Sequence, residues 1–232
     1  MTVGVMRVLA IDTALEACSA AVLDTERAGT IAHETEPMQR GHAEALIPLI
    51  SRVLAFARLT FSEVDRIAVT TGPGSFTGLR VGISAARGIA LATGKPAVGL
   101  STLAAFAAPF IAADDTLPVV AAIDARHDHV YLQVFGPGGR TLVTPRLVAL
   151  NEARRVATTG APRLVGTAAT MLASHWPPGE RPPSAVAQLI APDIDWVARL
   201  GAAAVDTGHP PKPLYLRAPD AQPQNAAQLA RR

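Results

Sequence analysis

The stretch GPGSFTGLR at residues 72–80 decides the class of fold. It follows an apolar run at 65–71 that has the length of a buried strand, and it precedes a helical pattern over 79–92. In α/β proteins anions bind at turns of this kind, because the helix N-terminus presents free N–H groups and a partial positive charge. The stretch therefore predicts an α/β fold with a candidate phosphate site at the turn.

The candidate nucleotide or phosphate site combines this loop with the polar pair that ends the first predicted strand. Its residues are Asp12, Thr13, Gly72, Gly74, Ser75, Thr77 and Gly78. The glycines would let the backbone approach a ligand closely, and the hydroxyls would donate hydrogen bonds to it. The spacing is GxGxxxG, which is neither the dinucleotide fingerprint nor a P-loop. A tight structural turn with capping residues is the alternative that the spacing leaves open.

Hydrophobic periodicity predicts the order of strands and helices. The predicted strands cover 7–13, 18–23, 29–35 and 65–71, and a strand, a tight turn and a second strand fill 119–135. The predicted helices cover 43–58, 79–92, a segment from Ser101 or Thr102 to 108, 151–157 with Asn151 as its cap, 167–173 and 193–206. We expect a linker at 112–118, Gly94 at the end of the second helix, and a mobile polar tail after Arg217.

The two halves of the chain resemble each other at an offset of 112 residues. The tripeptide AID at 10–12 then lies over AID at 122–124, each at the end of a predicted strand. This repeat indicates a duplication, with an N-terminal subdomain at 1–112 and a smaller one at 113–232. In a duplicated fold Asp12 and Asp124 would face each other across a cleft, where paired carboxylates could hold a metal–phosphate complex. The alternative is that each carboxylate caps a turn.

Composition excludes several classes of protein. Lys and Arg number 21 against 19 Asp and Glu, and this near-neutral balance argues against a polycationic nucleic-acid binder. A single cysteine, Cys18, excludes an internal disulfide and a Cys-based zinc site. His127 and His129 would share a face of a strand but lack an evident third ligand, so we expect exposed strand residues and no metal. The sequence has neither a membrane-length apolar run nor a signal-peptide pattern, so we expect a cytoplasmic protein with no membrane partner.

Small residues recur on one face of the predicted helix 79–92, at Gly82, Ala86 and Ala90. This spacing lets a second helix approach closely. We therefore expect that face, together with Leu46 and Ile50 of the preceding helix, to bind a partner. Packing against the chain's own sheet is equally compatible with the pattern.

Four segments, in this order, resemble the TsaB family, also called YeaZ: VLAIDTALEACSAAVLD, TTGPGSFTGLRVGISAARGIALATGKPAVGLSTL, IDARHDHVY and PLYLR. The resemblance implies an actin-like ATPase (ASKHA) fold of two ribonuclease-H-like subdomains, the second of them reduced. It also implies a role in forming N6-threonylcarbamoyladenosine in tRNA, as a non-catalytic scaffold that binds the catalytic relative TsaD. By the same resemblance TsaE joins a larger complex, and the chain forms a homodimer when alone. The resemblance allows ATP or ADP at the complex interface and implies only indirect contact with tRNA.

One departure from the catalytic relative supports an accessory role. TsaD carries a His-x-x-x-His metal site after its glycine-loop helix, and Thr102 and Phe106 stand at those two positions here. A hydroxyl and a phenyl ring cannot replace two imidazoles on a metal. The alternative is a nucleotide-hydrolysing ATPase that acts on its own, for which the glycine loop and Asp12 are the motivation. Direct contact with RNA would involve arginines such as Arg80, Arg87, Arg126 and Arg217, and the near-neutral charge limits it to a helping role.

Overall fold

Each half of the chain builds one five-stranded mixed sheet. The structure is a computed structural model and describes residues 5–27, 29–158 and 160–217. The first sheet contains β1 (Arg7–Asp12), β2 (Ala17–Asp24), β3 (Gly29–Pro37), β4 (Arg66–Gly72) and β5 (Ala97–Ser101). The second sheet contains β6 (Val119–Asp124), β7 (His129–Phe135), β8 (Thr141–Ala149), β9 (Arg163–Gly166) and β10 (Ala185–Gln188). The helices are α1 (His42–Ala57), α2 (Phe76–Thr93), α3 (Thr102–Ala113), α4 (Leu150–Ala157), α5 (Ala169–Ser174) and α6 (Ile194–Ala203).

The two sheets have the same topology, which confirms the predicted duplication. The first is ordered β3-β2-β1-β4-β5 and the second β8-β7-β6-β9-β10. In each sheet the first three strands along the chain pair antiparallel, and the last two run parallel to the first. This is the ribonuclease-H-like arrangement, and its repetition gives the predicted actin-like α/β fold.

Helices cover both faces of each sheet. Helices α1 and α2 pack on one face of the first sheet, and α4 and α5 pack on the corresponding face of the second. The first pair has 16 and 18 residues and the second pair 8 and 6, so the second half is the reduced one, as predicted. The inner strand β2 is buried along its whole length because helices lie against both of its faces.

The remaining two helices join the halves. Helix α3 packs on the second sheet, and α6, from late in the chain, returns to the first sheet and also contacts α3. Arg163 strengthens this connection, because its guanidinium donates to the main-chain carbonyls of Phe110, Asp114 and Leu117. No helix within the described ranges is long and apolar enough to cross a membrane.

Several helix boundaries differ from the prediction. Helix α2 begins at Phe76 rather than 79, because the Ser75 hydroxyl accepts a hydrogen bond from Gly78 N at 3.3 Å and caps the helix inside the glycine loop. Its end at Gly94, in the left-handed conformation, agrees with the prediction. Asn151 does not cap α4, since the helix starts one residue earlier with Ala149 at the cap position. Helix α6 ends at Ala203, three residues before the predicted end.

Several elements have weak sequence signals and were not predicted. These are β5, β8, β9 and β10, of which the last two have only four residues each. Helix α3 continues through Pro109 to Ala113, so the linker shortens to 114–118. The predicted mobile tail after Arg217 lies outside the described residues.

Candidate functional site

A cleft of about 820 Å³ separates the two halves. Its first wall comes from the β1–β2 turn, the loop before α1 and the start of α2. Its second wall comes from the β6–β7 hairpin, residues 188–190 and Arg217. The charged or imidazole side chains on it are Glu16, Arg40, His42, Asp124, Arg126, His127 and Arg217.

The structure brings only part of the predicted phosphate site to this cleft. Gly74, Ser75 and Thr77 line it. The other four predicted residues, Asp12, Thr13, Gly72 and Gly78, do not line it and are buried behind the loop.

The space beside two of the loop glycines is occupied by the chain's own β1–β2 turn. A Cβ on Gly74 would lie 2.4 Å from the carbonyl oxygen of Ala14, and a Cβ on Gly78 would lie 2.1 Å from that of Thr13. One backbone N–H of the loop also bonds to this turn, since Ser75 N donates to Ala14 O at 2.7 Å. The close approach that glycine permits is thus made to a neighbouring turn, which is the structural alternative for this motif.

Gly72 faces away from the cleft. Its Cβ would lie 2.9 Å from the carbonyl oxygen of Leu214, in the segment 209–217, here named the strap. Its φ of 118° is in the left-handed region that favours glycine. Gly72 therefore serves the packing of the strap on β4.

Asp12 is fully buried at the end of β1. Its Oδ1 accepts hydrogen bonds from the Thr70 hydroxyl and from Ala14 N, whereas Oδ2 has no hydrogen-bond partner among the described residues. Ser19, its register partner on β2, has a buried hydroxyl that likewise has no hydrogen-bond partner in the part of the chain that the structure describes. Burial raises the pKa of Asp12 to about 6, and the hydrogen bonds from Thr70 and Ala14 and the nearby His42 only partly oppose that rise.

The predicted face-to-face pair of Asp12 and Asp124 does not form. Asp124 is exposed and lines the cleft, whereas Asp12 is buried. Each carboxylate accepts a hydrogen bond from the backbone N–H two residues ahead, Asp12 from Ala14 and Asp124 from Arg126. Both carboxylates therefore cap turns. Within the described ranges no group of three or more His, Cys, Asp or Glu side chains is placed to hold a metal ion.

The two neighbouring histidines do not share a strand face, which corrects the prediction. Strand β7 begins at His129, and His127 lies in the preceding turn. Arg126, His127 and Asp128 all have positive φ, at 62°, 51° and 56°. Three successive non-glycine residues in this region are unfavourable and persist only where the surroundings hold them. The predicted tight turn between the two strands is confirmed, but the sequence gives no signal for its positive φ values, because the turn contains no glycine.

The structure turns most of the predicted partner face inward, although Leu46 also lines an exposed groove between α1 and α2. Leu46, Ile50, Gly82 and Ala86 are buried in the core of the first half, and Ala90 is half-buried. A Cβ on Gly82 would lie 2.5 Å from the Thr13 hydroxyl oxygen, so the small residues of α2 face the chain's own sheet. That packing is the alternative that the spacing left open.

The outer surface of the same two helices carries an exposed, mostly apolar groove of about 520 Å³. This α1–α2 groove is lined by Ala43, Leu46, Ile47, Phe76, Thr77, Arg80, Val81, Ser84 and Ala85. Ile47 and Phe76 are 48% and 44% exposed and line the same groove, so they form part of a contiguous apolar patch. This groove was not predicted, because helical spacing does not state which side of a helix turns outward.

Thr102 and Phe106, which stand at the metal-ligand positions of the catalytic relative, are fully buried in α3. Phe106 packs in the core between α3 and the second sheet. Cys18 lies buried in β2 as predicted for a small apolar residue, and burial raises the pKa of its thiol to about 12. A thiol with so high a pKa is a poor nucleophile at neutral pH.

Comparisons with known proteins agree with this fold. The model of the family TsaD, tRNA N6-adenosine threonylcarbamoyltransferase, matches residues 30–175. The tRNA threonylcarbamoyladenosine biosynthesis protein TsaB of Escherichia coli is 40% identical over 126 residues, which are 54% of this chain and 53% of that protein. The chain thus spans about half the length of the curated TsaB relatives it matches. An uncharacterized protein of Mycobacterium tuberculosis is 35% identical over 224 residues, which cover 95% of this chain and 96% of that one.

Solved structures extend the likeness over nearly the whole chain. YeaZ from Pseudomonas aeruginosa has a TM-score of 0.76 at 30% identity and is matched over 91% of this chain and 100% of its own. A Pseudomonas aeruginosa protein described as similar to peptidase YEAZ has a TM-score of 0.78 at 31% identity, with the same coverage. The chain therefore belongs to the TsaB family, also called YeaZ, whose domain is related to that of the threonylcarbamoyltransferase TsaD.

Proposed function

We propose that this chain is a non-catalytic scaffold subunit of the system that forms N6-threonylcarbamoyladenosine in tRNA, and that it binds and supports TsaD. The observation that carries the proposal is the α1–α2 groove. Its apolar side chains, Ile47 and Phe76 among them, lie exposed on two long helices that the first sheet holds rigidly. A related protein with matching helices would bury this surface by helix packing.

Two relatives support the assignment to this pathway. TsaB of Escherichia coli and of Haemophilus influenzae are both named for tRNA threonylcarbamoyladenosine biosynthesis. The family model that matches the chain is that of the transferase TsaD itself, so a partner with a related fold is the natural complement. In this proposal TsaE joins the assembly of the two, and tRNA meets TsaD rather than this chain.

The interior of the site supports an accessory rather than a catalytic role. The glycine loop is packed against the backbone of Thr13 and Ala14, and Asp12 lies behind it with no exposed surface. A catalytic carboxylate must touch its substrate or the water bound to it, which this burial prevents. A nucleotide would thus bind at the interface with the partner rather than in this loop.

The test is a binding experiment with Ile47→Arg. An arginine buried without a counter-charge in the centre of an interface should weaken TsaD binding at least about thirtyfold. Leu142→Arg is the matched control, because Leu142 is 40% exposed on the second half, far from the groove in the fold. Both variants should keep the far-ultraviolet circular dichroism of the wild type. Undiminished binding of Ile47→Arg to TsaD would refute the proposed surface.

A homodimer through the same groove is expected when TsaD is absent. Ile47→Arg should then convert the isolated protein to a monomer in sedimentation velocity, and Leu142→Arg should not. A dimer that persists in Ile47→Arg would assign self-association to another face.

An assay of tRNA modification distinguishes the scaffold from a self-sufficient enzyme. TsaD with threonylcarbamoyl-AMP should modify tRNA well only when this chain is added, and this chain alone should modify none. The rival function is autonomous ATP hydrolysis. Turnover of ATP by the purified chain that disappears in Asp12→Ala would favour that rival.

A further inference from the structure

The strap, residues 209–217, is anchored to the first half of the protein. Leu214 N donates to Thr71 O at 2.8 Å, which fixes the strap beside β4. Arg87 of α2 donates to Pro211 O through Nε at 2.9 Å and Nη2 at 2.5 Å. These bonds hold the main chain of the strap at two points, one of them by a charge-assisted pair.

Two glycines mark the path of the strap. A Cβ on Gly72 would lie 2.9 Å from Leu214 O. A Cβ on Gly99 would lie 3.1 Å from the Cβ of Pro211. The absence of side chains on β4 and β5 at these places is what lets the strap lie against the sheet.

The strap then reaches the second half across the cleft. Arg217 lines the cleft, and its Nη1 donates to Ala125 O at 3.1 Å. Ala125 opens the β6–β7 hairpin turn, where Arg126 to Asp128 all have positive φ. The strap is thus a connection between the halves that is separate from the linker 114–118, and it touches the strained turn of the cleft.

Between these anchors lies an exposed cluster of two aromatic rings and an arginine. The rings of Phe76 and Tyr215 lie 5.4 Å apart, and each residue is 44% exposed. The guanidinium carbon of Arg80 lies 3.8 Å from the centre of the Phe76 ring, and its Nε donates to Tyr215 Oη at 3.2 Å. Tyrosine and arginine are the residue types that most often dominate binding at protein interfaces.

Phe76 belongs to two surfaces at once. It lines both the α1–α2 groove and the cleft. A partner in the groove that covers Phe76 therefore also meets Tyr215, which is stacked on it. From Tyr215 the chain continues within two residues to Arg217 and its bond to the hairpin.

We propose that the strap couples the α1–α2 groove to the cleft. A TsaD-like partner in the groove covers Tyr215, holds the strap in place and thereby keeps the β6–β7 hairpin clasped by Arg217. The identity of the partner rests on the proposed function. The clasp, by which we mean the hydrogen bond from Arg217 to Ala125 O, is a property of this chain alone. Because the partner binds the clasped state more tightly than a state with a released strap, its binding and the order of the hairpin are linked.

The clasp is tested on the isolated full-length chain by amide hydrogen exchange. The hairpin amides of Ala125 and His129 donate to main-chain carbonyls and report its opening. Arg217→Ala and Tyr215→Ala should each raise exchange there about tenfold, the effect of losing one charge-assisted or aromatic contact. Arg146→Ala, which removes an exposed arginine of β8, is the control and should change nothing. Hairpin exchange that is unchanged in Arg217→Ala would overturn the clasp.

The coupling is tested by repeating the exchange with TsaD present. TsaD should slow hairpin exchange in the wild type, and this slowing should vanish in Arg217→Ala while protection of α1 and α2 remains. Protection of α1 and α2 without any effect on the wild-type hairpin would overturn the coupling and leave the proposed function intact. If TsaD protects neither helix, the proposed function fails, and the exchange of the isolated chain still decides the clasp.

Discussion

Asp12→Asn is the substitution whose effect the structure defines most closely. The side chain is fully buried, and an asparagine Oδ1 can keep the acceptor role toward Thr70 and Ala14. The substitution removes the ability of the group to ionise and leaves its shape nearly unchanged. Any cost of placing an amide NH2 where Oδ2 stands is independent of pH, so the pH dependence isolates the carboxyl group.

The direction of the pH dependence follows from the pKa of Asp12 in the folded and the unfolded state. The pKa of Asp12 rises from 3.8 to about 6 on folding, so between these values the folded state holds a proton that the unfolded state has lost. The free energy of unfolding of the wild type therefore falls as the pH rises through this window. At 1.4 kcal/mol for each tenfold change in proton affinity, the full loss is about 3 kcal/mol, of which about 2 kcal/mol falls above pH 4.5.

Urea unfolding of wild type and variant at a series of pH values between 4.5 and 7.5 measures this difference. The stability of Asp12→Asn relative to the wild type should be about 2 kcal/mol more favourable at pH 7.5 than at pH 4.5. Asp115→Asn serves as control, because the exposed Asp115 side chain makes no ion pair among the described residues. A difference between Asp12→Asn and wild type that stays constant over the range would refute the reasoning.

Two further substitutions test the packing that closes the glycine loop and joins the halves. Gly78→Ala should lower the free energy of unfolding by about 2 kcal/mol or more, because its Cβ would lie 2.1 Å from Thr13 O, a clash that relaxation of the turn only partly relieves. A Cβ on Gly88 of the same helix would have no described atom within 4 Å, so Gly88→Ala should raise that free energy by about 0.5–1 kcal/mol. Chemical denaturation measures both changes. If Gly78→Ala is as stable as Gly88→Ala, the loop is not packed as described. Arg163→Met should destabilise by about 2–4 kcal/mol in the same assay, since it removes the charged donor to three carbonyls of the connection between α3 and β6, and a loss below 0.5 kcal/mol would contradict that role.

Local patterns predicted much of the architecture. Short apolar runs located β1, β2 and β4, and the repeat of the AID tripeptide correctly indicated that the two halves share one topology. The glycine loop was placed correctly between a strand and a helix. The short strands β9 and β10 escaped prediction, because four residues carry too little periodicity to distinguish a strand from a loop.

The functional reading of individual residues depended on contacts between distant segments. The small residues of α2 predicted a close-packed face, but only the position of Thr13, directly after β1, decides that this face is internal at Gly82. In the same way, the loop sequence indicates that another part of the chain or a ligand can pack closely against Gly74, but it does not identify that neighbour. The occupant is the carbonyl of Ala14, which comes from a turn sixty residues earlier in the chain.

The sequence by itself determined the fold class, the duplication and the family, because each can be recognised from motifs and periodicities that extend over short stretches of the chain. Tertiary structure alone decided which face of α1 and α2 is exposed and how the strap reaches the hairpin through Arg217. The physical reason is that a spacing of small or apolar residues defines a surface but carries no information on its neighbour. That neighbour is chosen by the packing of the whole chain, which lets segments far apart in sequence exclude water from each other.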